Sequence, residues 1–131
     1  HAFLKFFELL MVQSGGIFEA SSFAAPCEVS RPTISNYLSV MEATYVVHVL
    51  RPISKNPSSE IIAAPKVYAF DTGFVCYFRG WDKLRDDDMG HLWEHVVLNE
   101  LQAHLQRRDI YYWRDKRGNE VDFVLTPWGN H

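Results

Sequence analysis

Tyr45-Val46-Val47-His48-Val49-Leu50 marks the point where this chain changes from helix to strand. Its β-branched and aromatic side chains favour an extended backbone. Upstream, the apolar spacing is helical. Phe3, Phe6, Phe7, Leu10 and Met11 recur at helical intervals over 3–13, and Gly15-Gly16 closes that segment. Ser21 or Ser22 is expected to cap a short second helix that Pro26 helps to stop. Ser30-Arg31-Pro32 opens a third, with Ser30 as N-cap and Pro32 in the first turn, where its missing N–H costs little. Ile34, Tyr37, Leu38 and Met41 form the core face of that helix; Arg31, Ser35, Asn36, Ser39 and Glu42 lie opposite. Downstream, the polar, proline-rich stretch 51–60 is a loop. Ile61-Ile62 and Lys66-Val67-Tyr68-Ala69-Phe70 then return as strand. Three helices followed by a β-hairpin with a long polar tip predict a winged helix-turn-helix over residues 1–80.

Asp71 can cap a helix over 72–79 that Gly80 closes. Residues 81–89 hold Asp86-Asp87-Asp88 and few apolar groups, which predicts a linker. A helix over 90–107, a strand Ile110-Tyr111-Tyr112-Trp113-Arg114, a turn around Gly118 and a strand from Glu120 to Thr126 follow; Pro127 ends the last strand. The expected fold class is therefore α+β, with a winged helix at 1–80, a linker at 81–89 and a smaller α/β piece at 90–131.

The 131 residues are 47% apolar and 22% charged, and the aromatic share of 15% favours a filled core over disorder. A net charge of −3 demands no polyanionic partner. Acidity is uneven: residues 1–80 carry six basic and six acidic side chains, residues 81–131 seven and ten. Cys27 and Cys76 lack metal-ligand spacing and read as small buried thiols of a reducing cytoplasm. No apolar run reaches the ~18 residues of a membrane span, so no membrane partner is expected. The chain opens on His1 rather than Met, which predicts a fragment or a processed chain.

Glu94, Leu98, Leu101 and Leu105 share one helical face, so Glu94 is the only charge on an apolar stripe and needs a cation, a metal or a donor. Glu120 and Asp122 lie two apart on a strand and are expected to share a face with Val124, with Val121, Phe123 and Leu125 opposite. Two adjacent carboxylates repel unless a cation joins them, and a hard ion such as Mg²⁺ prefers oxygen ligands. Glu94, Asp122 and Glu120 are therefore candidate metal ligands, with Glu94 and Asp122 as catalytic acids. The bland alternatives are a rim carboxylate for Glu94 and pairing of Glu120 with Lys116 or Arg117. His91-Leu92-Trp93-Glu94-His95 matches the H-x-x-E-H pattern of inverted zinc peptidases, yet the pattern is short, and two surface or interdomain histidines explain it better. Arg31, Thr33, Ser35 and Asn36 on the third helix, with Arg51 and Lys55 on the wing, are candidate DNA contacts. So few cations make a protein-contact or autoregulatory role the stronger reading. Arg107, Arg108, Arg114, Lys116 and Arg117 cluster near the last hairpin, most simply as a solvated face. No Walker phosphate loop occurs, so ATP is not expected to bind this stretch.

Val29-Ser30-Arg31-Pro32-Thr33-Ile34-Ser35-Asn36-Tyr37-Leu38, Met41-Glu42-Ala43-Thr44-Tyr45 and Pro65-Lys66-Val67-Tyr68-Ala69-Phe70-Asp71-Thr72-Gly73-Phe74 resemble the C-terminal region of prokaryotic predicted AAA-type, archaeal-ATPase-like proteins of unknown function. Gly90 and Glu94, Tyr112-Trp113-Arg114 and Glu120-Val121-Asp122-Phe123-Val124 resemble the start of a PD-(D/E)XK restriction-endonuclease-like domain. The resemblance implies an ATPase module ahead of a winged helix, then a truncated nuclease-like domain. In it Glu94 is the helix acid and Asp122 the central metal-binding acid. The Glu-x-Lys strand of that superfamily is missing, and Val121 stands where its name has proline. The expected role is thus an interaction module without catalysis of its own, contacting DNA, its own ATPase module or another protein. The alternatives are a Mg²⁺-dependent nuclease domain in the full-length parent, with ATP bound only by the ATPase module, and a winged-helix DNA-binding regulator. An unpaired sheet edge predicts a homodimer or strand exchange.

Overall fold

The computed structural model of the chain describes residues 1–53, 64–81, 83, 85–105 and 110–126. The helical segments appear as α1 (Ala2–Gln13), α2 (Ala20–Cys27), α3 (Arg31–Ala43), α4 (Thr72–Arg79) and α5 (Asp86–Leu105). The strands are β1 (Gly16–Ile17), β2 (Val47–Pro52), β3 (Lys66–Ala69), β4 (Ile110–Arg114) and β5 (Glu120–Leu125). The protein is α+β, with five helices and a mixed five-stranded sheet among the described residues. Ile61-Ile62, Lys55, Arg107 and Arg108 lie outside them.

Several caps follow the local chemistry. Ser30 Oγ accepts the Thr33 N–H at 3.3 Å and opens α3. Asp71 Oδ1 accepts the Gly73 N–H at 2.7 Å and opens α4, and Gly80 ends that helix at φ 69°, a conformation that favours glycine. Several boundaries differ from expectation, and β2 runs on through Arg51-Pro52, which the sequence reads as the start of a loop. Glu19 rather than Ser21 or Ser22 is the N-cap residue of α2, and Pro26 lies in its last turn. The first turn of α5 is Asp86-Asp87-Asp88, inside the stretch read as a linker; three acids there favour the positive end of the helix dipole.

The sheet order is β1-β3-β2-β4-β5. β2 and β3 form an antiparallel hairpin with Val49 opposite Val67, and β4 and β5 form another. A short parallel pairing joins the hairpins, with Arg51 opposite Tyr111 and Pro52 opposite Tyr112, so both halves of the chain share one sheet.

Helices cover the two faces of the sheet unequally. On one face, α1 to α4 enclose Phe6, Leu10, Met11, Phe23, Ile34, Met41, Val47, Val67 and Val75. Phe6 meets Phe23 edge-on at 5.3 Å, and Phe18 stacks on Phe23 at 5.1 Å, the offsets aromatic rings prefer. On the other face, α5 packs Leu98 against Leu50, Tyr68, Ile110 and Tyr112. β3 is buried on both faces: Val67 and Ala69 enter the first core, while Tyr68 lies in the second.

Candidate functional site

The second face gathers the charged groups. Trp113 lies opposite Val121 and Tyr111 opposite Val124, so β5 carries one extra residue there, and Asp122 and Phe123 both oppose Tyr112. Such a bulge breaks strict alternation. Phe123 therefore joins the α5-side core and approaches Tyr68 at 6.0 Å, whereas it was expected on the face opposite Glu120. Glu120, next to the turn closed by Asp115 and Asn119, lies at the exposed rim of that core, and its carboxylate reaches Lys66.

Lys66 completes this group. It is only 5% exposed, its ammonium pairs with Glu120, and it sits 5.3 Å from the Tyr112 ring centre. Glu120 thus takes Lys66 as its partner rather than Lys116 or Arg117. The Tyr68 hydroxyl donates to Glu94 Oε2 at 3.4 Å, and the Tyr112 hydroxyl donates to the Ala64 carbonyl. Burial pushes the Glu94 carboxyl above its ordinary range; Asp122 adds to that rise, and Lys66 works against it. Burial raises the Tyr68 phenol strongly, with Glu94, Asp122 and Glu120 adding to the effect. So α5, β3 and β5 bring Glu94, Glu120, Asp122 and Lys66 into one electrostatic neighbourhood. Among the described residues, however, no three His, Cys, Asp or Glu side chains stand close enough together to hold a metal ion. As arranged here, these acids do not fit one, and the positive charge in the group is the Lys66 ammonium.

A second polar junction lies next to the first. His95 is fully buried, not on the surface. Its Nδ1 lies 2.9 Å from the His91 carbonyl, which only accepts, so Nδ1 carries the proton. Its Nε2 then accepts from the Ser14 hydroxyl at 2.6 Å, and Ser14 Oγ accepts the Ala69 N–H at 2.6 Å. Burial holds the His95 imidazole down to about 4; its bond to the His91 carbonyl works against that fall, and the neighbouring charges of His91, Arg79 and His48 add to it. Arg79 donates to the Val12 and Ser14 carbonyls at 2.7 and 3.1 Å and caps the end of α1. Gly15, at φ 89°, lets the chain pass His91: a Cβ there would lie 2.6 Å from the imidazole Cε1. Ser14 and His95 resemble a serine–histidine dyad, yet both are sealed from solvent, so the pair fastens α5 to α1 and β3.

The nucleic-acid candidates are less concentrated. Arg31, Ser35 and Asn36 are exposed along α3. The Thr33 hydroxyl is 2.9 Å from Ser30 Oγ and belongs to the cap. Arg51 of β2 forks onto Glu42 at 3.2 and 3.4 Å, so an acid already holds that arginine.

No described helix is long and apolar enough to cross a membrane. No solved structure matches the chain. Uncharacterized proteins of Mycobacterium bovis and Mycobacterium tuberculosis are each 31% identical to it over 119 residues, covering 88% of this chain and 27% of their own length. The chain thus spans about a quarter of the curated relatives it matches. Residues 89–130 match a domain of unknown function (DUF4143). Residues 1–85, well over half of the chain, match another, and on that match the chain belongs to the family described as a domain of unknown function (DUF8612).

Proposed function

We propose that the chain is a non-catalytic interaction module of a larger, AAA-type ATP-binding protein, with a winged helix leading into the beginning of a nuclease-like fold. The observation that carries this reading is Lys66. Its buried ammonium partners Glu120, one of the three acids that the sequence offers as metal ligands. An internal cation there supports a structural anchor in place of a hydrolytic centre. The exposed face of α3 supports protein contact over DNA, because Arg31 is its one exposed described cation and Arg51 is engaged by Glu42. The proposal of a larger parent is supported by the relatives, of which the chain spans 27%.

The test uses supercoiled and linear duplex DNA with the purified chain. The expected outcome is no cleavage with Mg²⁺ and no salt-dependent binding. Mg²⁺-dependent cleavage lost in Asp122→Ala would overturn the reading in favour of a nuclease. Binding that weakens steeply with salt and with Arg31→Ala would favour a winged-helix regulator. The nuclease reading belongs to the full-length parent and is supported by Glu94, Glu120 and Asp122 surrounding one core; an extended chain with Mg²⁺ and DNA tests it.

A further inference from the structure

We infer that the edge of β2 at Val47 and Val49 accepts one extended polypeptide segment, which adds to the sheet as a strand in the groove between β2 and α5. The inference deepens the interaction reading, on which it rests, by naming the kind of partner.

Backbone direction decides which peptide groups of β2 face away from β3. The Phe70 N–H donates to the Val46 carbonyl at 3.0 Å, so Val46 turns its peptide groups toward β3. Antiparallel pairing of His48 with Tyr68 and Leu50 with Lys66 continues that alternation. Val47 and Val49 therefore turn their N–H and C=O groups the other way. On that side β4 pairs only with Arg51 and Pro52, and the Ile53 N–H donates to Tyr112 at 2.8 Å. Among the described residues no strand meets Val47 and Val49. Two N–H and two C=O groups, spaced as on a strand, are matched in full only by another strand.

The surroundings decide the occupant. A groove of about 640 Å³ runs along this edge, walled by Glu42 and Tyr45 at the end of α3 and by Asn99, Gln102 and Ala103 on α5. Asn99 is locked into the wall, accepting from His48 Nε2 at 3.0 Å and donating to the Phe70 carbonyl at 2.9 Å. Walls on both sides admit a single strand and exclude a second copy of the chain, whose own sheet would carry flanking helices into them. Phe70, 55% exposed, and Ala103 offer an apolar side, while Glu42 and Arg51 offer a charged one. The partner is thus an extended peptide alternating apolar and polar side chains.

The probe is a pool of capped heptapeptides alternating valine, isoleucine or phenylalanine with threonine, serine or lysine. It is added to the ¹⁵N-labelled 131-residue chain. The expected result is saturable movement of the Val47 and Val49 amide signals. Binding should be lost when alternate peptide amides are N-methylated, and at least tenfold weaker in Ala103→Trp, whose exposed position keeps the fold intact. If no pool member moves those amides, or the N-methylated pool binds equally well, the inference is wrong. It is also wrong if the signals move with protein concentration alone, since that assigns the edge to a second copy. DNA cleavage by the same preparation would sink the non-catalytic reading without touching the amide result, so the two failures are distinguishable.

Discussion

The two faces of the sheet are held by different forces. Under α1 to α4 the core is almost wholly apolar, built on Phe6, Phe18 and Phe23. Under α5 a smaller apolar cluster is ringed by Lys66–Glu120, Tyr68–Glu94 and Ser14–His95. The first face is insensitive to pH near neutrality, because burial raises the Cys27 thiol within it and keeps it protonated. The second depends on each buried group keeping one protonation state. Apolar packing sets how stable the protein is; polar pairing sets where α5 sits.

The widest gap between the faces should come from Phe6→Ala, expected to cost about 3–5 kcal/mol in urea unfolding at any pH from 5 to 8, because it empties a fully buried ring site. A loss that changes with pH would break the comparison. Lys66→Met should cost roughly 3 kcal/mol, as it leaves Glu120 without its cation beside Glu94 and Asp122. Combining it with Glu120→Leu should recover most of that loss, read as a non-additive double-mutant cycle.

The α5 face should also respond to acid. His95 has a folded-state value near 4 against an ordinary 6.5, so the unfolded chain binds the extra proton more readily. Its contribution is fully present above about pH 6.5 and is lost as pH falls toward 4. Between those limits the loss is about 3 kcal/mol. Ser14→Ala should cost about 1–3 kcal/mol at neutral pH by leaving the Ala69 N–H and His95 Nε2 without their partner. Thermal melts from pH 7.5 to 4.5 check both, and a flat profile would refute the assignment. The smallest effect belongs to Arg51→Ala. Its pair with Glu42 is solvent-exposed, so stability should change by less than about 0.5 kcal/mol.

Local chemistry was readable in the sequence, and long-range polar pairing was not. Ser30, Asp71 and Gly80 act within one helical turn, and their residue types announce that role. The β-branched run at 45–50 likewise announces most of β2, and the aromatic run at 110–114 announces β4. By contrast, Ser14 and His95 lie 81 residues apart, and neither carries a local signal. Lys66 read as one member of a strand, with nothing to join it to Glu120. The extra residue on β5 breaks the alternation from which the facing of Phe123 was deduced. Glu94 was legible as a charge out of place on an apolar stripe, and Tyr68 is the donor it meets.

The place of α5 after β3 in the chain also sets an order of events during synthesis. β3 leaves the ribosome well before α5, so Tyr68 and Lys66 wait with one side bare while α1 to α4 cover the other. Translation at ~5–20 residues per second makes that wait a matter of seconds. Chains stalled just before Asp86 should be cut by protease near β3, and chains carried through β5 should resist. The half that folds first is therefore the half most in need of protection, and the delay is written into the position of one helix.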